Sequence, residues 1–313
     1  MVAELLQEPF SMPFQTTIQG PVEVDGIGLH TAVPGHLRLS PAPADTGIVF
    51  RRTDLDNFPI EAHVGNVARV SYATSLMKKG VLISTTEHLL AALYSCGVDN
   101  CFVDLNAIEV PILDGSAQPF IDMLGRAGIR TLRRRRRYLR VLKPLEFTDA
   151  GRRIGIYPAG EFRVQCSIDF PHPAIGRQHV DLRVDRETFS HLLAPARTFG
   201  FECDFPGMRK MGLIRGGSYE NALVLSDDAI VNGPLRFADE FGRHKTLDLI
   251  GDLALVGHPL RALVVAQRAG HALHTQLVTR LLADRSLWTE TSEEVPVPAH
   301  RPAAAAAAAA PAD

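Results

Sequence analysis

Twice along the chain a series of short strands is followed by helices, and that order constrains the fold more than any other feature. From residue 18 to 50 the sequence reads as extended runs broken by turns. Gly20, Gly26 and Gly28 punctuate the first part, alternation marks His36 to Leu39, and Ile48-Val49-Phe50 favours strand. Residues 84–96, STTEHLLAALYSC, then read as a helix. Ser84 and Glu87 have capping-box spacing, Leu89, Leu90, Ala92 and Leu93 supply an apolar side, and Gly97 suits the stop. A strand at 100–105 and a short helix at 118–128 complete this half. The second half opens with strands across 138–170, turning at Asp149-Ala150-Gly151 and Pro158-Ala159-Gly160, and helices are expected near 185–194, 244–255 and 272–283. Strands grouped ahead of helices argue against a doubly wound parallel sheet and for α+β layers. At 313 residues the chain is long enough for about two domains. The shared order permits an internal duplication, although no residue-level self-similarity accompanies it.

Composition shifts between the halves. From Arg126 to Arg153 there are eleven basic residues, including the run Arg133 to Arg137, against only Glu146 and Asp149. This places a first domain at 1–130 and a second at 131–290, with a disordered tail at 291–313 that carries eight consecutive alanines. The plain reading of the arginines is an exposed linker and strand edge, where charge blocks unwanted pairing. The functional reading is contact with anionic lipid headgroups or a phosphate-bearing substrate. Nucleic acid is a poor partner, because 33 Lys and Arg against 35 Asp and Glu leave a net charge of -2 and no aromatics interleave the basic run. Four cysteines without a CxxC pair suit a reducing, cytoplasmic setting. The first residues, MVAELLQEPFSMPFQTT, make a poor signal peptide, and no 18-residue apolar run free of charges predicts a spanning helix.

The strongest chemical signal is HKTLDLIGD at 244–252. Residues four apart share a helix face, so His244, Asp248 and Asp252 form a stripe of imidazole and carboxylates. Such a face can offer nitrogen and oxygen to one zinc ion, or it can be an ordinary polar surface. Another ligand would have to come from elsewhere. His88 is a candidate, with Glu87 about 100 degrees around the helix and free to act as a base on water. The competing use of Glu87 is its own cap. At GHALH, 270–274, His271 stands at a helix start, where it can protonate a leaving group if Asp252 orients its other nitrogen. His274 can share a ligating face with it, or both can be solvated. Arg215-Gly216-Gly217-Ser218 is a turn able to approach phosphate or merely a tight connection. In ARTFGF, 196–201, a hydroxyl lies beside two aromatics, in a pocket or in plain core packing. HExxH, GxGxxG and GxxxxGK[ST] patterns and a GxSxG elbow are all absent.

Several segments together resemble the zinc-dependent UDP-3-O-acyl-N-acetylglucosamine deacetylases of lipid A biosynthesis. They are GIGLHT at 26–31, TEHLLAAL at 86–93, EVPILDGSAQPF at 109–120, ARTFGF at 196–201, GLIRGGSYENALV at 212–224, DEFGRHKTLDLIGD at 239–252, and GHALH. The resemblance runs in order through residues 15 to 283. It implies Zn2+ held by His88, His244 and Asp248, with Glu87 as general base and His271 as general acid oriented by Asp252. It further implies that Thr198 helps bind the developing oxyanion, that Lys245 lines the polar side of the pocket, and that Phe199 is its aromatic wall. The implied fold has two similar domains, each a helical layer against a mainly antiparallel sheet, with the helical layers facing one another and a small βαβ unit inserted in the second. The implied substrate is an acylated UDP-sugar, taken by a monomeric cytoplasmic enzyme with room for peripheral contact with the inner membrane. Two departures stand out: Gly242 where the family often has valine, and His274 where asparagine is common. The alternative from another class is a noncatalytic zinc-stabilised sugar-nucleotide binding protein. Such a protein needs neither a free base nor an acid, and its metal site would be closed.

Overall fold

The computed structural model describes residues 13–292. The fold is α+β with mixed sheets. In the first half a five-stranded sheet runs in the order Val22–Ile27, Pro34–Pro41, Cys101–Leu105, Ile48–Arg52, Phe58–Glu61. Neighbours joined by short turns pair antiparallel. Ile48–Arg52 and Cys101–Leu105, separated by a long connection that contains a helix, pair parallel. A seven-stranded sheet in the second half follows the same logic around its central strand, Leu260–Gln267. That strand lies antiparallel to Arg152–Pro158 and parallel to both Phe162–Phe170 and Tyr138–Val141. Alternation decides which face is covered: Leu260, Ala262, Val264 and Ala266 point into the core, as do Cys101, Val103 and Leu105 across the molecule.

Among the described residues six α-helical segments accompany the sheets: α1 (Glu87–Ser95), α2 (Gln118–Ala127), α3 (Arg186–Thr188), α4 (Phe205–Lys210), α5 (Glu240–Leu253) and α6 (His271–Ala283). The expected helices at 244–255 and 272–283 therefore form with small shifts of their ends, while the one near 185–194 is reduced to α3 and a wider turn at Phe189–Leu193. Nearly every residue of α1 is buried, including Glu87 and His88, which marks a helix covered on all sides. The capping box expected at Ser84 does not form. Ser84 is held extended by a bridge to Glu109, its backbone N–H donating to Ile108 and its carbonyl accepting from Val110. Helix α1 starts at Glu87, whose carboxylate faces Thr74 instead of the cap.

The arginine-rich stretch forms the strand edge expected of it more than a linker. Ile129–Arg135 pairs antiparallel with Phe14–Ile18, and Tyr138–Val141 enters the seven-stranded sheet. Arg133, Arg134, Arg135 and Arg137 are exposed, but Arg136 is buried against Asp99 at 2.8 Å. Phe199–Phe201 and Leu223–Leu225 form a separate parallel pair, with α4 between them in sequence. Of the tail expected to be disordered over 291–313, Thr291 still ends a strand, Trp288–Thr291, paired with Tyr138–Val141, and residues 293–313 lie outside the described residues.

Candidate active site

The first turn of α1 meets the middle of α5. Helical spacing on α5 stacks His244 and Asp248, and α1 brings His88 to them: His88 Nε2 lies 3.5 Å and His244 Nε2 3.4 Å from Asp248 Oδ1. The imidazoles stand edge-on, with centroids 4.9 Å apart and planes at 88°. Neither makes a hydrogen bond to Asp248 Oδ1, a buried oxygen with no hydrogen-bond partner. Its other oxygen accepts from Lys245 Nζ at 2.9 Å. A buried carboxylate oxygen left bare is costly unless something cationic meets it. His244 Nδ1 donates to the Ala196 carbonyl at 3.0 Å, which turns the Nε2 lone pair toward Asp248. Burial pushes His244 down to about 4, against the pull of Asp248, so the ring is neutral and able to ligate. Burial alone would raise Asp248, but His244 and Lys245 hold it well below the usual carboxylate range. The donor set, its spacing and the bare oxygen fit a metal ion.

Beside this group Glu87 and the Asp252–His271 pair are tied together by Thr74. Glu87 is 3% exposed, and burial raises its pKa despite the nearby His271 and His88. Its Oε2 accepts from the Thr74 backbone N–H at 3.0 Å. The Thr74 hydroxyl donates to Asp252 Oδ1 at 2.5 Å, and His271 Nδ1 donates to Asp252 Oδ2 at 2.6 Å. Burial disfavours the imidazolium of His271, but the Asp252 charge and hydrogen bond outweigh it and raise the ring to about 9. Burial likewise disfavours charge on Asp252, yet His271 and His274 bring it down to about 2. His274 does not join His88 and His244; its Nδ1 donates to Asp252 at 2.8 Å. Asp252, His271 and His274 form the second group spaced to hold a metal among the described residues. Their facing atoms already satisfy one another by hydrogen bonds, unlike the bare oxygen of Asp248.

His88, His244 and Asp248, together with His271 of the second cluster, border one cavity of about 790 Å³. Glu87, His88, Thr198, His244, Lys245, Asp248 and His271 line its polar end, whereas Asp252 stands behind His271 and is not in the wall. Phe170, Phe199, Phe201 and Val224 provide an apolar stretch, and Phe199 is braced edge-on by Phe241 at 4.9 Å. Lys245 Nζ lies 5.5 Å from the Phe199 ring centroid. Thr198 is fixed between two segments, its N–H donating to Gly115 and its carbonyl accepting from Leu223, each at 2.8 Å. Of the residues expected to form the site, all but Asp252 are thus in the wall, and Asp252 holds His271 from behind it.

Sequence reasoning missed Thr74, the pair Arg197–Glu240, and Glu109. Glu240 is fully buried and accepts from Arg197 N, Nε and Nη2, holding the segment that carries the Ala196 carbonyl and Thr198. Glu109, also fully buried, accepts from His30 N, Thr31 N and the Thr31 and Thr85 hydroxyls, fixing the loop where His30 borders the cavity. An acidic residue inside an otherwise apolar stretch was the available signal for Glu109; Glu240, among charged neighbours, had none. Thr74 had none.

Comparison with known proteins gives this geometry a context. A model of the family described as LpxC, UDP-3-O-acyl N-acetylglycosamine deacetylase, matches residues 15–283. The chain belongs to this family. A UDP-3-O-acyl-N-acetylglucosamine deacetylase of Solibacter usitatus is 54% identical over 278 residues, covering 88% of this chain and 94% of the relative. Proteins of the same name from Geotalea uraniireducens and Syntrophotalea carbinolica are 44% and 42% identical, covering 89% and 88% of this chain and 91% and 90% of theirs. The deacetylase match runs from before α1 to the end of α6, so both clusters lie within it.

Proposed function

We propose that this chain hydrolyses the N-acetyl group of a UDP-3-O-acyl-N-acetylglucosamine, giving acetate and the free amine, the deacetylation step of lipid A biosynthesis. Family membership supports the reaction. The observation that carries the site is the bare Asp248 oxygen between two imidazoles, beside a buried carboxylate and a cationic histidine in one cavity. His88, His244 and Asp248 are the residues that would hold zinc. When bound, zinc polarises a carbonyl oxygen and lowers the pKa of water.

The protein's own groups divide the remaining work. Glu87, kept from its cap and lining the cavity, takes the proton from attacking water. His271 is cationic because Asp252 holds its other nitrogen, and it gives its proton to the departing sugar nitrogen. The Thr198 hydroxyl donates to the developing oxyanion. Lys245 balances Asp248 and lines the polar wall. Phe199 and its aromatic neighbours suit an acyl chain, while the polar end suits the sugar. The same reading takes the protein as two units, 1–130 and 131–290, whose helical layers face one another through α1 and α5, with a βαβ insert around α4. A cytoplasmic monomer with peripheral contact at the inner membrane belongs to this proposal and rests on the acylated UDP-sugar it would take. Among the described residues no helix is long and apolar enough to cross a membrane.

The test is acetate release from the acylated sugar nucleotide by purified protein, alongside its zinc content. Glu87→Gln should keep zinc and lose about 100-fold or more in turnover. Equal activity in that variant removes Glu87 from the base role. A wild type that binds zinc and substrate yet releases no acetate favours a binding protein.

A further inference from the structure

Asp252 is a hub with more donors than an orienting carboxylate needs. It is fully buried in the last turn of α5, and Thr74 occupies its Oδ1. Its Oδ2 accepts from two imidazoles at once, His271 Nδ1 at 2.6 Å and His274 Nδ1 at 2.8 Å. Those rings sit one helical turn apart on α6, with centroids 6.0 Å apart and planes at 76°, and they approach the shared oxygen separately. His271 faces the cavity, whereas His274 is 2% exposed and absent from the cavity wall. His274 therefore has no reach to a substrate except through Asp252.

We propose that His274 is a positioning residue for the general acid. By donating to the oxygen that holds His271, it limits how much of the carboxylate's charge His271 receives and so sets how readily that ring gives up its proton. The catalytic consequence rests on the deacetylase reading, but the shared hydrogen bond does not. An acid clamped too tightly by an unshared carboxylate stays protonated but transfers its proton poorly. A neutral donor corrects this without adding a second positive charge. Burial keeps His274 below the ordinary imidazole value, in that neutral form.

Other charged groups facing the pair are few. Asp252 and Asp248 come from α5, and Glu87 comes from α1. The strands packed against α6 turn their charges outward, pairing Arg153 with Glu146 and Arg152 with Asp149, and His63 near the same helix is exposed.

The experiment is nitrogen-15 NMR of histidine-labelled protein, paired with pH profiles of acetate release, for wild type, His274→Leu and His274→Asn. The leucine variant should raise the His271 titration and the alkaline limb of kcat/KM by about one pH unit, and lower kcat about tenfold with KM unchanged. Asparagine offers an N–H in the same place and should restore wild-type behaviour. A leucine variant that titrates and turns over like wild type overturns the proposal, as does an asparagine variant that shifts equally far. The wild-type spectrum decides the matter even where the leucine variant fails to fold: His274 must be the Nδ1–H tautomer, and an Nε2–H tautomer refutes the role. Absent acetate release in wild type would sink the deacetylase reading while leaving the His271 titration readable.

Discussion

Gly251 of α5 lies directly against the backbone of Glu87 in α1. A β-carbon on Gly251 would fall 2.1 Å from the Glu87 carbonyl oxygen and 2.7 Å from its carbon. That contact lets two helices from distant parts of the sequence approach closely enough for His88 to face Asp248. Gly251→Ala must push the helices apart, at a cost of about 1–3 kcal/mol for overpacking. The displaced backbone carries both Glu87 and His88, and a shift near 1 Å can remove about 100-fold in rate. The variant should melt lower and release acetate at least that much more slowly. Wild-type turnover in it would mean that the helices can separate without disturbing the site.

The pH profile should be bell-shaped. As the proposed base Glu87 has to be ionised, and burial raises its pKa, so the acidic limb should lie above the ordinary carboxylate value. As the proposed acid His271 has to be protonated, so activity should fall as pH rises through about 9. Its contribution to stability has the same sign. The raised folded-state pKa gives stability that is complete below 6.5 and disappears as pH climbs through about 9. Asp252→Asn removes the charge that sustains the imidazolium, so the alkaline limb should move down. An unmoved limb would assign it to another group.

Thr74 joins Glu87 to Asp252, through its backbone N–H on the first and its hydroxyl on the second. Thr74→Val keeps the shape and the backbone bond but strips a donor from a fully buried carboxylate. The loss should cost about 1–3 kcal/mol in stability and reduce kcat more than KM is raised. Thr74→Ser should restore both. Chemical denaturation and steady-state kinetics of the two variants provide the comparison; a serine variant as weak as valine would point to packing by the methyl group instead.

What the sequence revealed and what it hid have separate physical causes. The His244–Asp248–Asp252 stripe was legible because helical spacing is local, and α5 forms where that spacing placed it. The strands were legible through alternation and turn residues. Ser84 misled because the same local spelling serves a cap or an extended bridge, and pairing with Glu109, set by the tertiary fold, decided between them. Thr74 was invisible for a related reason: its partners are 13 and 178 residues away. Arg136 looked like its exposed neighbours, and only the fold supplied Asp99.

Among the described residues two groups have the spacing to hold a cation, and their hydrogen bonding predicts which responds to one. Asp248 Oδ1 has no partner, while the facing atoms of Asp252, His271 and His274 satisfy one another. Zinc should therefore stabilise the protein through His88, His244 and Asp248. A ligand at about 1,000 times its Kd adds about 4 kcal/mol, enough for a clear rise in melting temperature. Treatment with a chelator should lower the Tm and added zinc should restore it. Asp248→Asn should abolish most of that response, because an amide is a poorer and uncharged ligand. Asp252→Asn should retain it while losing activity. If the two variants exchange these behaviours, the cation belongs with His271 and His274, and the division of labour between the clusters must be reversed.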